Sequence, residues 1–216
     1  MEHEQDIVEF EASFRKLALE LSIPVPDSCL PLFFRYLCEL KKWNKAINLT
    51  SIHDDEEILA KHFVDSIACL KVIEKEGQCD VFDVGSGAGF PGLPLKLVCP
   101  DLELELLEPS EKKGAFLRYM VGSLGLQGVT VSTSKLQQYA SRVSRRAFNY
   151  IVVRAFKVDE SGQLLADLLK PGGKVILYRA QPVPKGFVLA GLALAEEVEY
   201  ELPSDYGHRV LSVFSK

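Results

Sequence analysis

No run of about 18 apolar residues, the length a membrane helix needs, occurs anywhere in the chain. Its start, MEHEQDIVEF, has no basic segment leading into an apolar stretch. Neither a membrane span nor a secretory signal is therefore expected, and the protein is assigned to the cytoplasm with no membrane partner. Paired metal or redox cysteines are missing as well. Cys29, Cys38, Cys69, Cys79 and Cys99 show no CxxC spacing and read as small buried hydrophobes, so no metal is expected. Repeats and low-complexity segments are absent, and no nucleophile and base stand in an evident pair. Acids are scarce in the middle of the chain: between Lys112 and Lys185, 13 Lys and Arg face only Asp159, Glu160 and Asp167. Residues 1–76 carry the opposite bias, 15 acids against nine cations. The net charge of −5 thus hides a basic block suited to phosphate.

What is present is ordinary globular composition, 47% hydrophobic and 25% charged over 216 residues. This is enough chain for one main domain with an extension, and a monomer is expected. Apolar residues near a 3.6 spacing predict a helix over residues 4–21, ended by Pro24 and Pro26, and a second from Cys29 to Asn44. Asp54-Asp55-Glu56-Glu57 reads as the acidic first turn of a third, continuing to about Val72. Residues 1–75 are accordingly expected to form a helical extension and residues 76–216 the core, with Lys75 to Gln78 as the linker.

From Cys79 the pattern turns to short apolar strands separated by helical stretches, the signature of a parallel sheet with crossovers. Strands are expected at Val81 to Val84, Leu102 to Leu107, Val129 to Ser132, Tyr150 to Val153 and Lys174 to Tyr178. Helices are expected at Leu93 to Val98, Glu111 to Leu124, Gln137 to Ala140 and Glu160 to Leu169, the last ended by Pro171-Gly172-Gly173. Two further alternating runs, Glu196 to Leu202 and His208 to Phe214, form a hairpin around Pro203 to Gly207. Seven strands, five parallel and a closing hairpin, with helices on both faces, give an α/β Rossmann-like fold of the class I methyltransferase layout.

The first strand runs into Asp83-Val84-Gly85-Ser86-Gly87-Ala88-Gly89-Phe90-Pro91-Gly92. Three glycines in five residues let the chain turn sharply and bring bare backbone against a ligand over the carboxyl edge of the sheet. A dinucleotide is the rival ligand, because Gly87 to Gly92 formally satisfies GxGxxG. The register is wrong for it: counted from Gly85, the first glycine after the strand, the third required glycine is Phe90. Pro91 also lacks the N–H that a pyrophosphate wants. S-adenosylmethionine has no pyrophosphate and tolerates both. Glu108, about 20 residues past the glycines at the end of the second strand, is positioned to accept from both ribose hydroxyls. Asp83 is expected to orient the loop through backbone N–H groups or a water near the methionine amine.

These residues, together with Leu40 to Thr50 (LKKWNKAINLT), His62-Phe63-Val64-Asp65-Ser66 and Arg154-Ala155-Phe156, resemble the RsmG family. Its members, also called glucose-inhibited division protein B, are bacterial small-subunit ribosomal RNA guanine-N7 methyltransferases. The resemblance implies S-adenosylmethionine as cofactor, S-adenosylhomocysteine as product, and small-subunit (16S) rRNA or the small subunit as partner. It also implies that Gly85 and Phe90 touch the cofactor, that Leu136 and Gln137 at the end of the third strand flank the adenine, and that Arg154 after the fourth strand belongs to the site. The family's usual Asp-Ser-Leu and Lys-Gly are replaced here by Glu108-Pro109-Ser110 and Arg179-Ala180, which keeps the carboxylate and the cation.

Guanine N7 offers a lone pair and carries no proton, so its methylation needs no general base. The missing dyad fits that chemistry, with catalysis resting on placement. Arg154 is expected to position the guanine or its phosphate. Arg142, Arg145, Arg146, Lys157, Arg179 and Lys185 are expected to contact RNA phosphate. Trp43 and His62 read as structural, and Asn44, Asn48 and Thr50 as ties between extension and core. A methyltransferase for another RNA or a small molecule, or a non-catalytic nucleotide- or RNA-binding module, remains open at this point.

Overall fold

The computed structural model describes residues 2–73, 79–142, 148–155, 158 and 161–216. Seven strands form one sheet: β1 Asp80–Val84, β2 Glu103–Leu107, β3 Val129–Ser132, β4 Phe148–Arg154, β5 Leu169–Arg179, β6 Ala193–Glu201 and β7 His208–Ser215. Their order is β3-β2-β1-β4-β5-β7-β6. The first five run parallel, and the last two close the edge as an antiparallel hairpin. The turn of that hairpin is closed by Leu202 N–H donating to Gly207 O. Strand order reverses between β1 and β4, with Val84 beside Val153, and the connections that follow these two strands leave toward opposite faces.

Strand periodicity decides which side chain reaches which layer. On β4, Tyr150 and Val152 join one hydrophobic cluster while Ile151 and Val153 join the other. On β1, Val81 belongs to the first cluster and Phe82 and Val84 to the second. By the same parity Asp83 and Arg154 both point into the first layer. That layer is built from helices α1 Glu2–Glu20, α2 Leu30–Asn44, α5 Gly92–Val98 and α6 Glu111–Ser123, together with a composite rod. The second layer carries α7 Leu136–Arg142 and α8 Gly162–Leu168.

The third helix expected from the sequence is that rod. Asp54 caps it by accepting from Glu57 N–H at 3.0 Å. It is not one regular helix: α3 Asp55–Ile58 passes into a π-helical turn Leu59–Val64, then α4 Asp65–Ile67 and a 3-10 turn Ala68–Lys71. Nothing in side-chain spacing announces the wide turn, whose tertiary contacts are described below.

Two other expectations need correction. Pro171-Gly172-Gly173 does not end a helix beyond residue 169; α8 stops at Leu168 and β5 already starts at Leu169. Leu169 pairs with Phe148 and Lys174 with Tyr150, so the Pro-Gly-Gly segment bulges out of register, with Gly172 at φ 75. The hairpin strand β6 begins three residues earlier than its alternation suggested. The expected linker at Lys75 to Gln78 falls outside the described residues; from the parts before and after it, Phe14, Phe33, Phe63, Leu93 and Leu106 lie in one buried cluster.

Because that cluster joins rod, helices and sheet, Phe63→Ala is expected to destabilise the whole fold by about 3–5 kcal/mol. Urea unfolding followed by far-ultraviolet circular dichroism and by Trp43 fluorescence is expected to shift together, in a single transition.

Candidate active site

At the carboxyl edge of β1 the chain turns through Gly85 (φ 77), Gly87 (φ 58) and Gly89 (φ 97), all in the left-handed region that glycine alone enters freely. Gly89 has no room for a side chain, since a Cβ there would lie 2.6 Å from Tyr36 Oη and 2.5 Å from Leu93 Cδ1. Gly85 and Ser86 N–H groups donate to Leu107 O, continuing the β1–β2 ladder one step past the strand. Ser86 Oγ donates to Asp83 O at 3.0 Å, and Tyr36 Oη donates to Ala88 O.

Two carboxylates hold this loop. Asp83 Oδ2 accepts from Gly92 N–H at 2.9 Å, tying the strand to the first residue of α5. Asp83 Oδ1 is buried and has no hydrogen-bond partner among the described residues. Burial pushes the carboxyl up to about 7, against the Gly92 N–H bond and the nearby Ser86 hydroxyl and Arg154, which lower it. Glu108 accepts from Gly87 N–H through Oε2 and from Ser110 N–H through Oε1, both at 2.9 Å, and is 7% exposed. The sequence reading gave Glu108 a ligand to hold; its first structural duty is to the glycine loop itself.

Phe90, joined to Pro91 by a cis peptide bond, carries the aromatic wall of the site. Its ring stacks on Tyr36 (5.5 Å, 16°) and on His62 (4.6 Å, 15°). His62 comes from the π-helical turn, whose carbonyls and imidazole are bonded by Arg154. Asp65 N–H donates to Ala60 O, five residues back, and to His62 O, passing over the carbonyl of Lys61 between them. Arg154 Nη2 donates to Lys61 O at 2.6 Å. The same guanidinium donates to His62 Nδ1 (3.1 Å) and Ser66 Oγ (3.3 Å) and lies 3.4 Å from buried Asp65.

This arrangement fixes the imidazole. Arg154 can only donate, so His62 Nδ1 is an acceptor and Nε2 carries the proton, which it donates to Thr50 Oγ1 at 2.7 Å. Burial, with Arg154 adding to it, lowers the His62 pKa to about 3. Thr50 is held in turn by Asn44, whose Oδ1 accepts from Leu49 and Thr50 N–H and whose Nδ2 donates to Thr50 O. The bonds of Asn44 and Thr50 stay within residues 1–75 and reach the core only through the stack of His62 on Phe90; the side chain of Asn48 is exposed, with no hydrogen bond among the described residues.

Residues 30–188 match the family model GidB, rRNA small subunit methyltransferase G. The chain belongs to the GidB family. It is 35% identical over 207 residues to ribosomal RNA small subunit methyltransferase G of Geotalea uraniireducens, covering 92% of this chain and 93% of that protein. It is 34% identical to the Myxococcus xanthus protein of the same name, covering 98% and 99%. Among solved structures it resembles TrmN from Thermus thermophilus (TM-score 0.57, 19% identity, 82% of this chain and 52% of that one). It also resembles precorrin-6y C5,15-methyltransferase from Geobacter metallireducens (TM-score 0.51, 12% identity, 70% and 87%). At such identities these two speak for the fold, a class I methyltransferase sheet.

Against this GidB frame the expected site residues divide. Asp83, Gly85, Ser86, Gly87, Gly89, Phe90, Glu108 and Arg154 converge at the β1–β4 seam. Leu136 and Gln137 open α7 rather than ending β3; Leu136 is buried in the second hydrophobic layer and Gln137 is exposed. Arg142 is exposed at the last turn of α7, which runs away from the carboxyl edge, whereas Lys185 and Arg179 follow or end β5. Arg145, Arg146, Phe156 and Lys157 lie outside the described residues. Tyr36 was missed, although a tyrosine on the buried stripe of α2 needs a polar partner and that requirement was legible. Among the described residues no group of His, Cys, Asp and Glu could hold a metal, and no helix is long and apolar enough to cross a membrane.

The buried neutral His62 gives a pH signature. Its folded pKa lies below the ordinary 6.5, so as pH falls from 6.5 toward 3 the unfolded chain takes up the proton first and stability is lost. His62→Gln is expected to flatten this acid limb: the wild-type Tm should fall further than the variant's between pH 6.5 and 4. Parallel Tm curves would refute the buried neutral ring.

Proposed function

We propose that the protein is an S-adenosylmethionine-dependent methyltransferase acting on N7 of a guanine in small-subunit ribosomal RNA. It acts as a monomer, in the cytoplasm where ribosomal subunits are found. The observation that carries this reading is the buried Asp83 Oδ1, a carboxylate oxygen lacking a donor among the described residues, beside three glycines of bare backbone at the point where strand order reverses. The names of its GidB relatives supply the substrate class.

S-adenosylmethionine supplies a methyl group activated on sulfonium sulfur. The ammonium of its methionine part suits Asp83 Oδ1, and backbone at Gly85 to Gly89 admits it without side-chain obstruction. Each Glu108 oxygen keeps a lone pair beyond those facing Gly87 and Ser110, which suits the ribose hydroxyls. Leu136 and Gln137 are the proposed adenine neighbours. Phe90, braced by Tyr36 and His62, forms the wall that sets where a methyl group meets its acceptor.

Arg154 takes a different part from the one expected. With Nη1 and Nη2 engaged by Lys61, His62, Ser66 and Asp65, it acts through the His62–Phe90 stack as a positioning residue. No side chain is required to remove a proton, because guanine N7 has none. Proximity and alignment then carry the rate, and effects of this kind reach on the order of 7 to 11 kcal/mol.

The direct test incubates the protein with labelled methyl donor and small ribosomal subunits and maps the modified base. Label on guanine N7 is the expected result; label on another base or none would overturn the reading. Asp83 gives a second test. With its carboxyl titrating at about 7 in the free protein, affinity for S-adenosylhomocysteine is expected to rise with pH up to 7, by at most tenfold per unit, and then level off. Asp83→Asn keeps an acceptor for Gly92, and is expected to lose about 1.5–3 kcal/mol of affinity together with the pH dependence. Calorimetry across pH 5.5 to 8.5 measures both.

A further inference from the structure

α2 and α6 meet in a surface with the elements of a single-strand nucleic-acid site. Trp43, half-buried at the end of α2, packs its ring 5.1 Å from that of Tyr119, which is 39% exposed on α6. Phe116 backs the indole from below at 5.6 Å. Next to this aromatic pair, residues Asn44, Asn48, Leu49, Thr50, Ser51 and His53 line a hollow of about 340 Å³. Asn48, Ser51 and His53 are exposed, and their side chains have no hydrogen-bond partner among the described residues. The loop presenting them is nevertheless rigid, because the three Asn44 bonds close it and Thr50 anchors it to His62 and so to Phe90.

Charge complements this chemistry. Lys42 near the end of α2 and Lys112 and Arg118 on α6 are exposed, as is Lys45, which lies just past α2 and lines a second hollow together with Asn44, Thr50 and His53. Glu39 and Glu111 are paired with Lys42 and Arg118, while Lys45 and Lys112 have no acidic partner among the described residues. Lys112 lies in the first turn of α6, at the carboxyl edge of the sheet where the glycine loop opens. Stackable rings, unpaired amide and imidazole groups in a nucleoside-sized hollow, and unneutralised cations are what an unpaired strand requires and a duplex does not.

We propose that the Trp43–Tyr119 pair and the Asn44–His53 loop bind the single-stranded RNA next to the target base, with Lys45 and Lys112 on its phosphates. The inference rests on the RNA-substrate reading above and assigns it a surface that joins the start of the basic block, at Lys112 and Tyr119, to Trp43 and the Asn44–His53 loop outside it. Bases stack on Tyr119 and the exposed edge of Trp43, and Asn48, Ser51 and His53 hydrogen-bond a neighbouring base edge.

Trp43 is the sole tryptophan of the chain, so its fluorescence reports on this surface alone. The experiment titrates full-length protein with a single-stranded RNA of about 12 nucleotides, and with a duplex of equal length, following Trp43 emission and RNA anisotropy together. Quenching by the single strand and little by the duplex is expected. Lys45→Glu with Lys112→Glu is expected to reduce the slope of log affinity against log salt by about two. Tyr119→Ala is expected to weaken binding roughly tenfold. Neither variant should alter calorimetric affinity for S-adenosylhomocysteine, and both should raise KM for small subunits far more than they lower kcat. RNA that binds by anisotropy without disturbing Trp43, and equally in the variants, would overturn this surface while leaving the RNA-substrate reading intact. Equal quenching by duplex would overturn the single-strand assignment. Absence of both RNA binding and rRNA methylation would overturn the two together.

Discussion

A carboxylate sealed from water with one oxygen bonded and the other bare is costly, and the glycine loop is organised around such a group. Asp83 holds α5 onto β1 through Gly92 while its Oδ1 has no donor among the described residues. Unpaired buried polar atoms are rare because each forfeits the hydration it had in the unfolded chain. The fold tolerates this one at the carboxyl end of a central strand, where the β1 and β4 connections part to opposite faces, the position at which open α/β sheets take their ligands. The close approach of Gly89 and Gly92 to Tyr36, Leu106 and Asp83 itself keeps the loop backbone in place, so the bare oxygen is held by packing and cannot relax toward solvent.

The second organising element is the guanidinium of Arg154. It bonds the Lys61 carbonyl of the π-helical turn, and it dictates the tautomer of the imidazole that stacks on Phe90. Through Asp65 the same cluster reaches Tyr200 on β6, at 2.7 Å, and so ties helical extension, central sheet and terminal hairpin at one point. The ion pair lies in a region where removal of one partner strands the other. Extension and core therefore work as one body around the site, with Phe90 as the surface both share.

Much of this was legible in the residues. Alternation gave all seven strands, because buried parallel strands read as apolar runs and the exposed edge of β6 as alternating glutamates. Parity along β4 already assigns Arg154 to the layer that contains Val152, which is the layer of the helical extension. The glycine loop declared itself through residue type. What could not be read were features set by long-range partners. The π-helical turn is bonded by Arg154, 93 positions away along the chain from Lys61. The β5 bulge at Pro171-Gly172-Gly173 looked like a helix stop because local chemistry is the same for both. Glu108 was correctly placed at the end of β2, but its bonds to Gly87 and Ser110 required the fold to bring those amides to it.

The basic block illustrates a similar limit. Sequence proximity grouped Arg142 with Arg179 and Lys185, whereas the topology sends the end of α7 to the far edge of the sheet and sets Lys45 of the acidic N-terminal third against the Asn44–His53 loop. Charge reads as a footprint only after the chain has folded. The central claim concerns the oxygen of Asp83, and a crystal structure of the protein with S-adenosylhomocysteine tests it most directly. The amino group of the ligand is expected within hydrogen-bond distance of Asp83 Oδ1, with its sugar against Glu108. A ligand bound elsewhere, or an Asp83 Oδ1 still without a donor in the loaded crystal, would contradict the account.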